Sequence, residues 1–188
     1  MRIFIAGLLG AIAMFIWTSI AHVATPLATA GFKQIPNEAP VLSAMQSSIG
    51  DHAGLYIYPW VDPKDPNAMG KSMALMKTNP SGIMIYHPAN SRNGSMGPLL
   101  AAEFVKEFIQ ALIAAWIVSL VAVATYYGRV AVVTAIGVSG TLMTNFSYHV
   151  WYGFPANYML AQFIVDIVGA FVAGLAIAWW LGRAIRTS

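Results

Sequence analysis

The polar positions in this chain are few, and they divide long apolar runs into four segments: Ile3–Val23, a run that starts near Pro98 and continues to Tyr127, Val130–Tyr148 and Tyr158–Leu181. Each approaches or exceeds the roughly 20 residues a helix needs to cross a bilayer. Read as one unbroken helix, the second run is about 45 Å long, more than the hydrocarbon thickness. Its spanning part is Phe108–Tyr126. The excess, Leu99–Gln110, carries Glu103, Lys106, Glu107 and Gln110. Gly128-Arg129 reads as a very short connection, and 182–188 as a polar tail. The first run also fits a cleaved leader, with Arg2 before it and Ala28-Thr29-Ala30 after it, but it is longer than the apolar core of a signal peptide, which favours an uncleaved helix.

Residues 26–98 differ in kind, being polar and punctuated by proline and glycine. Asn37, followed by Glu38 and Pro40, marks a helix start, and a helix is expected over Glu38–Ser48. Gly54–Pro59 and Gly82–Tyr86 share the pattern Gly-aliphatic-x-Ile-Tyr and read as two edges of one small sheet. Asp62–Gly70 is a turn cluster, Lys71–Lys77 a short helix and Pro88–Gly97 a loop, within which Ser91–Ser95 is polar enough to touch an anion. A two-stranded sheet is marginal in water, so this part is expected to lean on helix ends or on a partner. The fold class that follows is a mainly α membrane protein. It is a four-transmembrane-helix bundle (helix 1 within 1–25, helices 2–4 within 99–188) with a small α+β extracytoplasmic domain, 26–98, inserted between helices 1 and 2.

Composition sharpens the class. Of 188 residues, 58% are hydrophobic and only 9% charged, against about 25% charged in soluble domains. A net charge of +3 is no nucleic-acid footprint. Arg2, Arg129, Arg183 and Arg186 flank apolar segments on one side, and the turn Trp151–Asn157 on the other side has no charge. The positive-inside rule then places both termini in the cytoplasm and 26–98 in the periplasm of a bacterial inner membrane. Tyr148, Trp151, Tyr152, Phe154 and Tyr158 are the rings expected at the headgroups. The absence of cysteine excludes disulfides, thiolate metal sites and cysteine nucleophiles.

The candidate chemistry is a set of polar pairs at i, i+4 near one end of each helix: Thr18 and His22, Glu103 and Glu107 with Lys106 and Gln110, Asn145 and His149, Gln162 and Asp166. That spacing puts each pair on one face. Asp166 lies roughly 12 Å beyond Tyr158 along its helix, where an ionisable group must face protein rather than lipid. The set predicts a polar chamber roofed by 26–98, with Asp166 buried and bonded to Lys106, Asn145 or His149. Its first reading is a hydrogen-bond network tying helices together. His22, Glu103, Glu107, His149 and Asp166 are also competent ligands for zinc, iron or copper, although no Glu-x-x-His or His-x-x-x-His spacing appears. Met69, Met73 and Met76 fall on one helical face and read as core in preference to a Cu(I) site. No phosphate loop, G-x-S-x-G elbow or H-E-x-x-H is present.

Small residues mark close helix packing: Gly169-x-x-x-Ala173 and Ala170-x-x-x-Gly174 on the fourth segment, Gly137 and Gly140 on the third, and Gly7, Gly10 and Ala11 on the first. Packing within the bundle is the first reading, and self-association through the fourth segment is the second. The stretches P-L-A-T-A-G-F-K-Q-I-P-N-E-A-P-V-L-S-A-M (26–45), G-L-Y-I-Y-P (54–59) and Y-G-F-P-A-N-Y-M-L-A-Q-F (152–163) resemble a group of bacterial four-helix inner-membrane proteins. The resemblance implies the topology and no chemistry. The expected role is a non-enzymatic accessory or scaffolding subunit of a larger membrane complex, with the bilayer and other membrane subunits as partners, no nucleic acid and no identified cofactor. The alternative is a metal-binding membrane protein or enzyme.

Overall fold

The computed structural model describes residues 1–92, 94–121 and 123–183; Asn93, Ala122 and 184–188, with Arg186, lie outside the described residues. In chain order the elements are α1 (Arg2–Ala24), a 3₁₀ turn (Pro26–Thr29), α2 (Glu38–Ile49), β1 (Gly54–Tyr58), α3 (Ala68–Met76), β2 (Gly82–Tyr86) and α4 (Met96–Leu120). They continue with α5 (Tyr126–Thr141), a wide π turn (Leu142–Phe146), α6 (Ser147–Tyr152) and α7 (Ala156–Gly182). The chain divides into two compact units, residues 33–94 and the helical remainder.

Among the described residues, three helices are long and apolar enough to cross a membrane: Arg2–Ala24, the continuous Tyr126–Tyr152 and Ala156–Gly182. The chain is therefore that of a membrane protein. α4 is of similar length but carries Glu103, Lys106 and Glu107.

In the helical unit α1 packs on α4 and α7, and α7 packs on α5, while α4 and α5 touch only sparingly. Lipid is as apolar as a leucine side chain, so helices in a bilayer associate through close van der Waals packing. Small residues supply it here. A Cβ on Gly137 would overlap the Ala170 methyl, and one on Gly174 would come within 3.2 Å of Val130 and Val133. Gly169 faces Met14 and Trp17 of α1, and Trp17 Nε1 donates to Val165 O at 2.9 Å. Both small-residue faces of α7 are thus covered within the chain, Gly169 and Ala173 toward α1 and Ala170 and Gly174 toward α5. The core is correspondingly fine-grained: Ala6, Ala11, Ala115 and Ala173 are fully buried around Ile177.

The second apolar run is not one helix to Tyr127. α4 stops at Leu120, and a new helix starts at Tyr126, so Gly128 and Arg129 lie in the first turn of α5 and are not a connection. Two side chains make the break. Thr125 caps α5, its hydroxyl accepting from the Gly128 N–H at 3.1 Å. Arg129 is buried, 6% exposed, and its guanidinium donates to Val123 O at 2.8 Å and Ala124 O at 3.3 Å. Those carbonyls are accordingly satisfied without a continuing helix. Arg2 does the same for α7, donating to Leu181 O at 3.1 Å, where a cation also suits the helix C-terminus. Arg183 stacks on Trp179 at 3.8 Å.

At the other end, Gly153 closes α6 in the left-handed conformation, φ 70°, which a residue with a Cβ adopts at a cost. Tyr148, Phe154 and Tyr158 stack around this turn, with centroids 5.3–5.4 Å apart, and Phe32 meets Tyr158 edge-on at 5.8 Å.

Residues 33–94 form a helix, a strand, a connecting helix and a second strand. β1 and β2 are antiparallel in the register Gly54↔Tyr86 to Tyr58↔Gly82. α3 begins three residues before the expected Lys71, because Asp62 and Asp65 fold the preceding turn, accepting from the N–H groups of Lys64 and Asn67 at 2.9 Å. Lys71 pairs with Asp65. Met69, Met73 and Met76 do not form the expected core; they are 75%, 58% and 51% exposed.

Candidate functional site

Four helices bound one cavity of about 390 Å³. It sits where α4 and α5 diverge. α1 contributes Met14 and Thr18, α4 runs from Lys106 to Ala114, α5 and the π turn supply Val133 to Asn145, and α7 supplies Val165 to Ala170. Gly140 lines it with nothing within 4 Å of its missing Cβ.

Two polar clusters reach this space. On one side Glu107 is fully buried, with Oε1 accepting from Thr18 Oγ1 at 2.8 Å. Its Oε2 is buried and has no hydrogen-bond partner among the described residues. An orphaned buried polar atom costs about 1–3 kcal/mol, so a native fold retains one for a reason. On the other side Asn145 Nδ2 donates to Asp166 Oδ2 at 2.9 Å and to Thr141 Oγ1 at 3.0 Å. The first bond joins α7 to the π turn, and an interhelical bond of this kind contributes roughly 0.6 kcal/mol; the second lies within the α5–π-turn helix. The π turn matters because its wider backbone ring re-aims residue faces, and such turns recur at functional sites.

The structure sorts the sequence candidates. Thr18, Lys106, Glu107, Gln110, Asn145 and Asp166 line the cavity; His22, Glu103, His149 and Gln162 do not. Asp166 is bonded to Asn145 from among its three expected partners, and it is half-buried instead of fully enclosed. Lys106 lines the cavity and forms an exposed ion pair with Glu103. His22 is exposed, its Nδ1 2.8 Å from Thr18 O. His149 holds the 153–155 turn, its Nδ1 2.6 Å from Phe154 O. The five proposed metal ligands are therefore spread over different places, and among the described residues no three of His, Asp and Glu converge as a cation cage.

Two features of the site lie outside the sequence candidates. Thr141 and Asn145 are themselves an i, i+4 pair visible in the sequence, and it is this pair that is bonded, whereas His149 bonds elsewhere. The Thr18–Glu107 bond joins residues 89 apart and has no local signal. No family model, curated protein or solved structure matches the chain.

Proposed function

We propose that this is an integral protein of the bacterial inner membrane that works as a non-enzymatic accessory subunit of a larger assembly. In this reading α4 is a fourth spanning helix, both termini are cytoplasmic and residues 26–98 are periplasmic. The arginines support the orientation: Arg2, Arg129 and Arg183 all belong to the helix ends opposite the uncharged 153–155 turn, as the positive-inside rule requires.

One observation carries the functional reading. Among the described residues of 33–94, none is buried. Leu55, Trp60, Met69 and Ile85 are 66–75% exposed. A unit of this size without a core does not hold itself together, so another surface has to cover those side chains. Exposed apolar area of this kind marks an interaction site, and a larger membrane protein supplies such a surface. Extraction in mild detergent followed by native mass spectrometry tests the reading. A heteromeric species is the expected result, and a lone monomer or a homodimer after repeated gentle extraction would overturn it.

A further inference from the structure

We propose that the cavity between α4 and α5 is a binding site for an organic ammonium group attached to an apolar body. The proposal is independent of the accessory-subunit reading and rests on three features of the cavity.

The first is Glu107, a lining residue whose buried Oε2 has no partner among the described residues. It calls for a donor from outside the chain. The second is charge. Glu107 and Asp166 both line the cavity, and among the described residues neither forms an ion pair; Lys106, the one cation on the wall, is engaged by Glu103. Two carboxylates on a largely apolar wall, neither of them in an ion pair, favour a cationic guest. The third is the rest of the lining: Met14, Ile113, Val133, Ile136 and Val165 are apolar.

These features separate an organic cation from an inorganic one. A hard metal ion takes six or more converging oxygens, and among the described residues no three acidic or histidine side chains converge. An ammonium needs only two or three acceptors for its N–H groups and leaves its carbon skeleton to the apolar wall. A cavity of about 390 Å³ lies at the small end of ligand pockets and suits a guest of roughly ten heavy atoms. The same ammonium chemistry is offered by a free amine and by the headgroup of an ethanolamine lipid.

The test uses the full chain in maltoside micelles, with phenethylammonium as probe and phenethyl alcohol as its neutral counterpart, followed by calorimetry. The amine is expected to bind saturably and at least tenfold more tightly than the alcohol. Glu107→Gln and Asp166→Asn should each weaken the amine at least tenfold. Gly140→Leu fills the cavity from a position with open space and leaves both carboxylates in place, so it should abolish binding with an unchanged melting temperature. Titrating phosphatidylethanolamine assigns the source: competition points to a lipid headgroup, and lack of competition to a free amine. Equal affinity for amine and alcohol would overturn the proposal, as would undiminished binding in Gly140→Leu. Displacement of the amine by equimolar magnesium or potassium would overturn the organic assignment.

Discussion

Alanine in the helical unit and isoleucine in residues 33–94 occupy opposite environments. Ala6, Ala11, Ala115 and Ala173 are fully buried, whereas Ile57 is 48% and Ile85 72% exposed. Burial therefore does not follow hydrophobicity here. In the helical unit it follows how closely two backbones approach, and the larger side chains, such as Phe4 and Leu160, remain on the outside of helices that are apolar all round, where lipid can meet them. The unit 33–94, with its exposed apolar side chains, also carries Lys64, Asp65, Lys71 and Lys77, which belong in water. One unit is complete once a bilayer surrounds it. The other is left with apolar surface that its own residues do not cover.

The comparison can be broken or sharpened by substitution, beginning with the largest effect. Ile177→Ala removes a fully buried side chain from the alanine core and should cost about 3 kcal/mol in reversible unfolding in detergent. A loss under 1 kcal/mol would show that this core does not hold the bundle together. Gly137→Val should cost about 2 kcal/mol through overpacking, because a Cβ there overlaps Ala170. Gly140→Val, three residues along the same helix with open space around it, should stay within about 0.5 kcal/mol. Equal effects at the two glycines would remove the close-approach explanation.

Thr18→Val takes away the hydroxyl that serves Glu107 Oε1 and leaves the whole carboxyl without a side-chain partner. The expected loss is about 1 kcal/mol, read from thermal melting. Ile85→Lys should change the melting temperature little, within about 0.5 kcal/mol, and should nonetheless remove co-purifying protein from a mild-detergent extract. Unfolding of 33–94 in this variant, seen by hydrogen exchange, would mean that Ile85 serves the unit's own fold.

The smallest effect is a pH dependence. The Lys71 ammonium, and then the Asn67 N–H, hold the Asp65 carboxyl below its ordinary value of 3.8. Since the folded value is the lower one, the stabilisation is full above the ordinary aspartate range and is lost as pH falls through the lowered value. Amide exchange at the start of α3 should therefore accelerate in acid, and Asp65→Asn should flatten that dependence. An unchanged acid profile in the variant would assign the effect to another carboxylate.

What the sequence determined is what repeats locally. Apolar runs of spanning length placed α1 and α7 within two residues of their observed ends, and α5 to α6 four residues short at each end. Gly and Pro, which restrict or free their own backbone, marked the limits of α2, β1 and β2, although Asn37 makes no side-chain capping bond to α2. The small-residue spacings on α7 identified the faces that pack, since helical periodicity carries them. Tertiary structure decided the rest. Nothing in Val121–Thr125 breaks a helix by composition; the break depends on Arg129, from the next helix, satisfying Val123 and Ala124. The polar residues named from sequence were six of the cavity's own, but spacing alone did not separate them from His22, Glu103, His149 and Gln162. Each helix presents its polar pair by rotation about its own axis, and only packing fixes that rotation. Thr18 met Glu107, Asn145 met Asp166, and Glu107 kept one oxygen unpaired, because α1 and α7 pack on each other and carry α4 and α5 respectively, while α4 and α5 touch only sparingly.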